Sequence, residues 1–290
     1  MFDLKSLKKP TSPEEAVKDL LHTDGAGLYV AGGTIVVPTG SPALDYLVDL
    51  SHVGLEYVRV EDADVPGGRA LVIGAMTRIA DLLEETAVDA PCWRAIKEAC
   101  FWLATHTVRN QATVGGNITA AHFPSDLPPV FVALDAAVVL QGENDRREVA
   151  LADLYERRAE IHKRGDLIVE VRVPAGPEGL VSAFEKTGRT RVDIAIVNCA
   201  AALAVTAGAI EHARIALNGM AAVPFVAADT QAFLMGKKPS EEVFEEAGRM
   251  VSASVSPRSD HRASADYRRK IAGVLAQRAL ARAAGGPEDE

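Results

Sequence analysis

Two short glycine loops, about 80 residues apart, constrain this chain more than any other feature of its sequence. The first is Ala31-Gly32-Gly33-Thr34, which follows the apolar run of residues 27–30. The second, residues 113–118, reads TVGGNI. Glycine lets the backbone N–H groups of a bend approach an anion closely, and flanking hydroxyl and amide side chains add further hydrogen bonds. Two such loops in one domain predict an extended ligand with a pyrophosphate at its centre, which means a dinucleotide.

The common nucleotide-binding motifs do not match these loops. The first loop lacks the GxGxxG pattern, and Pro38 and Gly40 interrupt the segment after it, so no regular crossover helix is expected there. This disfavours a Rossmann fold that binds a nicotinamide cofactor. A Walker loop is excluded because no GK[ST] follows either glycine pair.

Composition excludes several classes of protein. The chain has 290 residues, 48% of them hydrophobic, which predicts a globular protein with a large core. Its net charge is −9 and no run of lysine and arginine stands out, so we expect no nucleic-acid partner. The longest apolar stretch, residues 194–210, is broken by Asn198, Thr206 and Gly208, so no membrane span is expected. The first residues contain no apolar signal core, which predicts a cytoplasmic protein.

The three cysteines, Cys92, Cys100 and Cys199, argue against a disulfide framework because their number is odd. They show no CxxC spacing, and no pair of histidines has the spacing of metal ligands. The sequence therefore predicts no metal site and no iron–sulfur cluster in this chain.

Hydrophobic periodicity predicts a mixed architecture. Helices are expected at residues 12–22, 78–85, 92–104, 229–235, 240–252 and 264–283, the first of them capped by Ser12. Strands are expected at residues 27–31, 57–60, 70–74, 138–140, 147–151, 166–173, 181–186, 194–206 and 210–217. Because strands precede helices in the last third of the chain, that part is expected to be an α+β unit.

The segment after the second loop makes the sequence similar to a known family. Residues 125–136, SDLPPVFVALDA, resemble a motif of the FAD-binding medium subunit of the molybdenum hydroxylases, the group of xanthine dehydrogenases and carbon monoxide dehydrogenases. Both glycine loops stand at the separation found in that family. Residues 184–189, FEKTGR, and residues 258–269, RSDHRASADYRR, are similar to its later motifs. Four motifs in the same order extend the resemblance over nearly the whole chain.

The resemblance implies an α+β fold with a PCMH-like, two-lobed FAD-binding domain and a C-terminal α+β domain of the CO dehydrogenase flavoprotein type. The implied lobes are residues 1–57 and 58–176, and the C-terminal domain is residues 177–290. The implied FAD contacts are Ala31, Gly32, Gly33, Thr34 and Ile35 around the pyrophosphate; Thr113, Gly115, Gly116 and Asn117 at the pyrophosphate and adjoining atoms; Asp126 as a polar contact; and Ile168 and Lys186 near the flavin ring. An aromatic residue before the second loop contacts the cofactor in some members, and Leu103 or Trp102 stands in that neighbourhood. Among the histidines, His122 is the one near these motifs.

The function implied by the resemblance is electron transfer within a complex. Electrons would come from two [2Fe-2S] clusters in a small partner subunit, pass through FAD, and leave to NAD+, a quinone or oxygen. The molybdopterin cofactor would belong to a large partner subunit. No catalytic acid or base is predicted in this chain. Two alternatives stay open, a stand-alone FAD-dependent oxidase or dehydrogenase and a non-enzymatic scaffold subunit.

Overall fold

The computed structural model describes residues 3–120 and 125–285 of the chain. The strands in these residues are β1 (Ser6–Lys8), β2 (Gly27–Val30), β3 (Tyr46–Asp49), β4 (Val58–Asp62), β5 (Arg69–Gly74), β6 (Ala137–Gln141), β7 (Arg146–Ala150), β8 (Leu167–Pro174), β9 (Val181–Thr187), β10 (Val197–Thr206), β11 (Ala209–Asn218) and β12 (Phe225–Val226).

The helices in the same residues are α1 (Pro13–Leu21), α2 (Val36–Thr39), α3 (Ile79–Glu84), α4 (Arg94–Trp102), α5 (His106–Arg109), α6 (Val114–Thr119), α7 (Leu127–Ala133), α8 (Leu151–Glu156), α9 (Arg158–Lys163), α10 (Ala228–Leu234), α11 (Glu241–Ser254) and α12 (Ala265–Ala283). Short 3-10 turns occur at Leu50–His52 and Thr86–Asp89. The long predicted elements are present, and Ser12 caps α1 as expected, since its hydroxyl accepts a hydrogen bond from Glu15 N at 3.1 Å.

Three sheets organise the described residues. A parallel sheet has the order β1-β3-β2, an antiparallel five-stranded sheet has the order β4-β5-β8-β6-β7, and an antiparallel four-stranded sheet has the order β12-β11-β10-β9. Antiparallel sheets with helices against them confirm the expected α+β class.

The four-stranded sheet is buried on both faces, which explains its long alanine-rich strand. Along β10, Ala200, Ala202 and Ala204 belong to the core shared with α4 and α7. The alternating residues, among them Cys199 and Leu203, belong to a second core formed with α11 and α12. Side chains of successive strand residues point to opposite faces, so small residues allow helices to pack on both sides. The strand expected at residues 194–206 is thus observed from Val197, and its residues up to Ala204 are buried on both faces.

Candidate cofactor-binding site

The first glycine loop leaves several backbone donors free. Gly33 adopts a positive φ of 69°, which favours glycine, and the one-turn helix α2 begins at Val36. Within residues 3–120 and 125–285, the N–H groups of Gly32, Gly33, Thr34 and Ile35 donate to no acceptor. Unpaired backbone donors that are half-buried have a cost unless a ligand or water accepts from them. The loop therefore offers the row of donors expected of an anion site.

The sequence predicted no regular helix after this loop, and the structure differs only by the single turn α2. Pro38 is compatible with that turn because its missing N–H would have no partner in a first helical turn. Gly40, with a φ of 49°, ends the turn.

Gly32 places the first loop against the second. A Cβ added at Gly32 would overlap the backbone carbonyl of Gln111, two residues before Thr113. Only glycine permits this close approach of two backbone segments. The predicted loops, about 80 residues apart in sequence, are therefore neighbours in the fold.

The second loop is not a bend but the first turns of helix α6, which corrects the expectation from sequence. Thr113 is the N-cap, and its hydroxyl accepts a hydrogen bond from Gly116 N at 3.1 Å. Gly115 N donates to the carbonyl of Ala75 at 2.8 Å. Glycine disfavours helices, so the GG pair indicated a bend, but close packing requires it here: a Cβ at Gly115 would lie 2.9 Å from Ala75 Cβ.

Gly116 is a glycine for a different reason. Among the described residues, apart from its chain neighbours and the backbone of its own helix, the one heavy atom within 4 Å of a Cβ added there is Thr113 Oγ1, at 2.9 Å. Gly116 also lines a cavity of about 370 Å³. The described residues thus leave the space beside it open, as a ligand that lies against the backbone requires.

The cavity lies between the two loops and brings most of the predicted site residues together. Its lining includes Ala31, Gly32, Gly33, Thr34, Ile35, Thr113, Gly115, Gly116, Asn117 and Ile168. Apolar side chains such as Leu50, Met76 and Leu154 form much of the remaining wall. An apolar cavity with a few convergent donors is the usual form of a cofactor site.

Helix α9 supplies two polar side chains, one of them an arginine, that sequence reasoning missed. Arg158 and His162 line the cavity, and Arg158 Nη2 donates to the carbonyl of Thr119 at 3.0 Å. Among the described residues, no carboxylate pairs with Arg158. Asp166, which also lines the cavity, is fully buried and paired with Arg147 at 2.5 Å. The sequence analysis expected no helix at α9, and the proximity of α9 to the loops is a tertiary feature.

Two tyrosines contribute apolar rather than polar surface. Tyr29 donates its hydroxyl to Gly165 O at 2.8 Å, and Tyr155 donates to Ile118 O at 3.3 Å. Both side chains line the cavity. Since their hydroxyls are engaged with the backbone, their rings serve as walls.

Asp126 and Lys186 do not line this cavity but form an ion pair at its side. Lys186 Nζ lies 2.8 Å from Asp126 Oδ2, and the two side chains are 2% and 7% exposed. Lys186 also donates to the carbonyl of Trp102 at 3.0 Å. Burial raises the pKa of the Asp126 carboxyl above its ordinary value, and the ammonium of Lys186 opposes that effect. Their predicted contacts with a cofactor stay a prediction.

Leu103 and Trp102 also lie outside the cavity lining. Leu103 is buried in the main core at the end of α4, and Trp102 is half-buried. The proposed contact of Leu103 with a cofactor therefore stays a prediction as well. His122 lies outside the described residues.

The described residues were also compared with the requirements of a metal site, a disulfide and a membrane span. No group of three or more histidine, cysteine or carboxylate side chains in residues 3–120 and 125–285 could hold a metal ion. Cys92, Cys100 and Cys199 are free thiols. No helix in this part of the chain is long and apolar enough to cross a membrane.

Two protein-family models together match nearly the whole chain. Residues 3–176 match the model for the "FAD binding domain in molybdopterin dehydrogenase", and residues 182–283 match the "CO dehydrogenase flavoprotein C-terminal domain". The carbon monoxide dehydrogenase medium chain of Hydrogenophaga pseudoflava is 31% identical over 276 residues, which are 93% of this chain and 94% of that relative. The glyceraldehyde dehydrogenase medium chain of Sulfolobus acidocaldarius is 29% identical and covers 95% of this chain and 96% of its own length.

Solved structures agree with these sequence matches. A carbon monoxide dehydrogenase from Hydrogenophaga pseudoflava, which lacks the Mo-pyranopterin moiety of its cofactor, has a chain with a TM-score of 0.86, 31% identity and 97% coverage of both chains. The quinoline 2-oxidoreductase of Pseudomonas putida 86 has a chain with a TM-score of 0.83 and 27% identity, covering 97% of this chain and 96% of its own.

Proposed function

Because the chain belongs to the family of FAD-binding medium subunits of molybdopterin dehydrogenases, we propose that it carries electrons through FAD between partner subunits and a final acceptor. The electrons come from [2Fe-2S] clusters of a small subunit and leave to NAD+, a quinone or oxygen. The molybdopterin cofactor is held by a large subunit. The three free thiols fit a reducing compartment, and the proposal places the complex in the cytoplasm.

The observation that carries the proposal is the cavity between the two glycine loops, with free N–H groups on one side. The N–H groups of Gly32 to Ile35 would hold the pyrophosphate, and the Arg158 guanidinium, which lines the same cavity, would add a positive charge. Gly116 keeps the space beside α6 open, and the apolar walls exclude water. Ala31, Thr113, Gly115, Asn117 and Ile168 complete the lining.

FAD, when bound, supplies reversible redox chemistry, and the chain's task is to hold and orient it. Lys186 is proposed to place a positive charge near the flavin ring. Two of the three N–H bonds of its ammonium are engaged by Asp126 and Trp102. The carboxylate of Asp126 thus fixes the position of the ammonium. Nothing in this role requires a general acid or base from this chain.

The test is purification of the chain with whatever assembles on it, from cells that express its partner subunits. We expect a complex with FAD, molybdenum, and iron in the amount that two [2Fe-2S] clusters require. After chemical reduction, NAD+, a quinone and oxygen are added separately, and the acceptor that restores flavin absorbance fastest is the physiological class. Turnover by the chain alone would instead support a stand-alone oxidase or dehydrogenase. An FAD-free complex would support the scaffold alternative.

A further inference from the structure

Three polar side chains form a row across the four-stranded sheet, on the face that packs against α7. Lys186 on β9 is the register partner of Asn198 on β10, and Asn198 is the partner of Asn218 on β11. Further along the same face the residues are apolar, for example Ala200 and Ala216. We call Lys186, Asn198 and Asn218 the polar row.

The side chains of the polar row donate hydrogen bonds to one short segment, Ser125–Asp126. Asn198 Nδ2 donates to Asp126 Oδ1 at 2.8 Å and to Ser125 O at 3.1 Å. Asn218 Nδ2 donates to the same carbonyl of Ser125 at 3.1 Å. Together with Lys186, which donates to Oδ2, the row gives each carboxylate oxygen of Asp126 one donor. Both asparagine amides face acceptors through their nitrogen, which settles their orientation.

These hydrogen bonds form in the interior of the protein. Asn198 is 0% exposed and Asn218 is 5% exposed. A buried amide without partners has a large desolvation cost, and the bonds to Ser125 and Asp126 offset it for the two amide nitrogens, while Asn198 Oδ1 has no partner among the described residues. Hydrogen bonds from the asparagines to a buried carboxylate and carbonyl therefore define where the segment lies.

The segment Ser125–Asp126 is connected directly to the cavity. Leu127 N, the first helical residue after Asp126, donates to Asn117 Oδ1 at 3.3 Å. Asn117 belongs to helix α6 and lines the cavity beside Gly116. The chain of contacts thus runs from β10 and β11 through Asp126 and Leu127 to the second glycine loop.

We infer that Asn198 and Asn218 are positioning residues of the cofactor site, through which the C-terminal sheet holds the second glycine loop in its binding geometry. This inference rests on the proposed function, because it assigns to the asparagines a role in FAD affinity. Neither residue lines the cavity, and both act through Ser125 and Asp126. The C-terminal domain then takes part in forming the FAD site rather than only covering it.

The test compares the full chain with three variants, Asn198→Leu, Asn218→Leu and Gln231→Leu. Leucine has the same branching pattern as asparagine but donates no hydrogen bond. Gln231 is the matched control, since it is 8% exposed and its amide donates to Ile215 O at 3.1 Å in the same domain, away from Ser125–Asp126. FAD affinity is measured by fluorescence titration. Amide hydrogen exchange of residues 113–119 is measured without added FAD, together with the melting temperature.

We expect Asn198→Leu to weaken FAD binding by about tenfold or more, and Asn218→Leu, which loses one bond rather than two, to weaken it less. Both variants should speed exchange in residues 113–119. Gln231→Leu should lower the melting temperature comparably while leaving FAD affinity and this exchange unchanged. Equal loss of affinity in Gln231→Leu and Asn198→Leu, or unchanged exchange in both asparagine variants, would overturn the inference. A wild-type chain that binds no FAD would contradict the proposed function, and the exchange data would still decide the role of the asparagines.

Discussion

Gly115 and Gly116 are neighbours in sequence, but each is a glycine for a different structural reason. A side chain at Gly115 would meet Ala75 inside the protein, whereas one at Gly116, beside the cavity, would meet only Thr113 Oγ1 among the described residues outside its own helix. The two positions therefore separate a requirement of folding from a requirement of ligand binding.

Alanine substitutions should reveal this difference. Gly115→Ala should lower the free energy of unfolding by ~2 kcal/mol, because the added methyl overpacks the contact with Ala75. Gly116→Ala should change it by less than ~1 kcal/mol, because the helix propensity of alanine offsets strain on the Thr113 cap. Gly116→Ala should nevertheless weaken FAD binding by about tenfold or more. Urea unfolding and FAD titration measure the two quantities, and a Gly116→Ala chain with normal affinity would contradict the proposed position of the cofactor.

Arg158 and Arg157 offer a second comparison between adjacent residues. Arg158 lines the cavity without a carboxylate partner among the described residues, while Arg157 pairs with Glu160 at 2.9 Å and does not line it. Arg158→Ala should weaken FAD binding by about tenfold, equivalent to ~1.5 kcal/mol for a charge-assisted hydrogen bond. The loss should shrink at high salt, since ions screen the exposed guanidinium. Arg157→Ala is the control, and an equal effect of both substitutions would show that only the general charge of α9 matters.

At the scale of elements, the segment before α12 depends on one carboxylate. Asp260 Oδ1 accepts hydrogen bonds from Arg262 N at 2.8 Å, Ala263 N at 3.1 Å and Arg268 Nη2 at 2.8 Å. Burial would raise the pKa of Asp260, but these donors outweigh it and lower the pKa from 3.8 to about 2. Arg268 is itself buried and also donates to the carbonyl of Ile196, so the motif resembling the family's terminal signature anchors α12 to the sheet.

The depressed pKa predicts how stability depends on pH. The stabilising contribution of ionised Asp260 is complete above its unfolded-state pKa of 3.8 and is lost as pH falls toward about 2. Asp260→Asn keeps an acceptor oxygen but removes the charge. We expect the variant to melt at a lower temperature than the wild type at pH 6, with the difference disappearing as the pH approaches 2. A difference that stays constant over this range would show that the charge is not what stabilises the segment.

Helices α11 and α12 cross at two glycines. A Cβ at Gly248 would lie 2.7 Å from the carbonyl oxygen of Gly273. Gly248→Ala should therefore lower the free energy of unfolding by ~1–2 kcal/mol through overpacking, although alanine favours a helix by ~1 kcal/mol. The exposed Glu245 on the same helix provides the control, because Glu245→Ala should change stability by less than ~0.5 kcal/mol. A more stable Gly248→Ala chain would contradict the close crossing.

At the scale of the whole molecule, a partly buried polar seam joins the FAD-binding and C-terminal domains. Phe184 N donates to Glu98 Oε2 at 2.7 Å, and Arg282 bridges Glu98 at 2.5 Å and Glu185 at 2.9 Å. The polar row lies on the face of the sheet that packs against α4 and α7, whereas Glu185 belongs to the opposite face, toward α12. The two domains are therefore joined by hydrogen bonds and ion pairs as well as by apolar packing.

Local patterns predicted the long elements and the family, but not the geometry of the site. The first loop was readable because glycine at a positive φ leaves a clear signature after a strand. Helix α6 was not, because a glycine pair contradicts helix propensity and its reason is Ala75, about 40 residues away. The position of Arg158 at the cavity and the contacts of Asn198 with Ser125 and Asp126 were missed because both depend on tertiary structure. The domain boundaries at residues 57 and 176 and the cofactor contacts of Leu103, Asp126 and Lys186 stay predictions.

The visible absorption spectrum of the purified chain, with released FAD measured in the supernatant, tests the central claim most directly. The account predicts flavin bands corresponding to about one FAD per chain, without iron–sulfur absorbance, since the described residues offer no cluster ligands. A colourless chain that also fails to take up added FAD would contradict it.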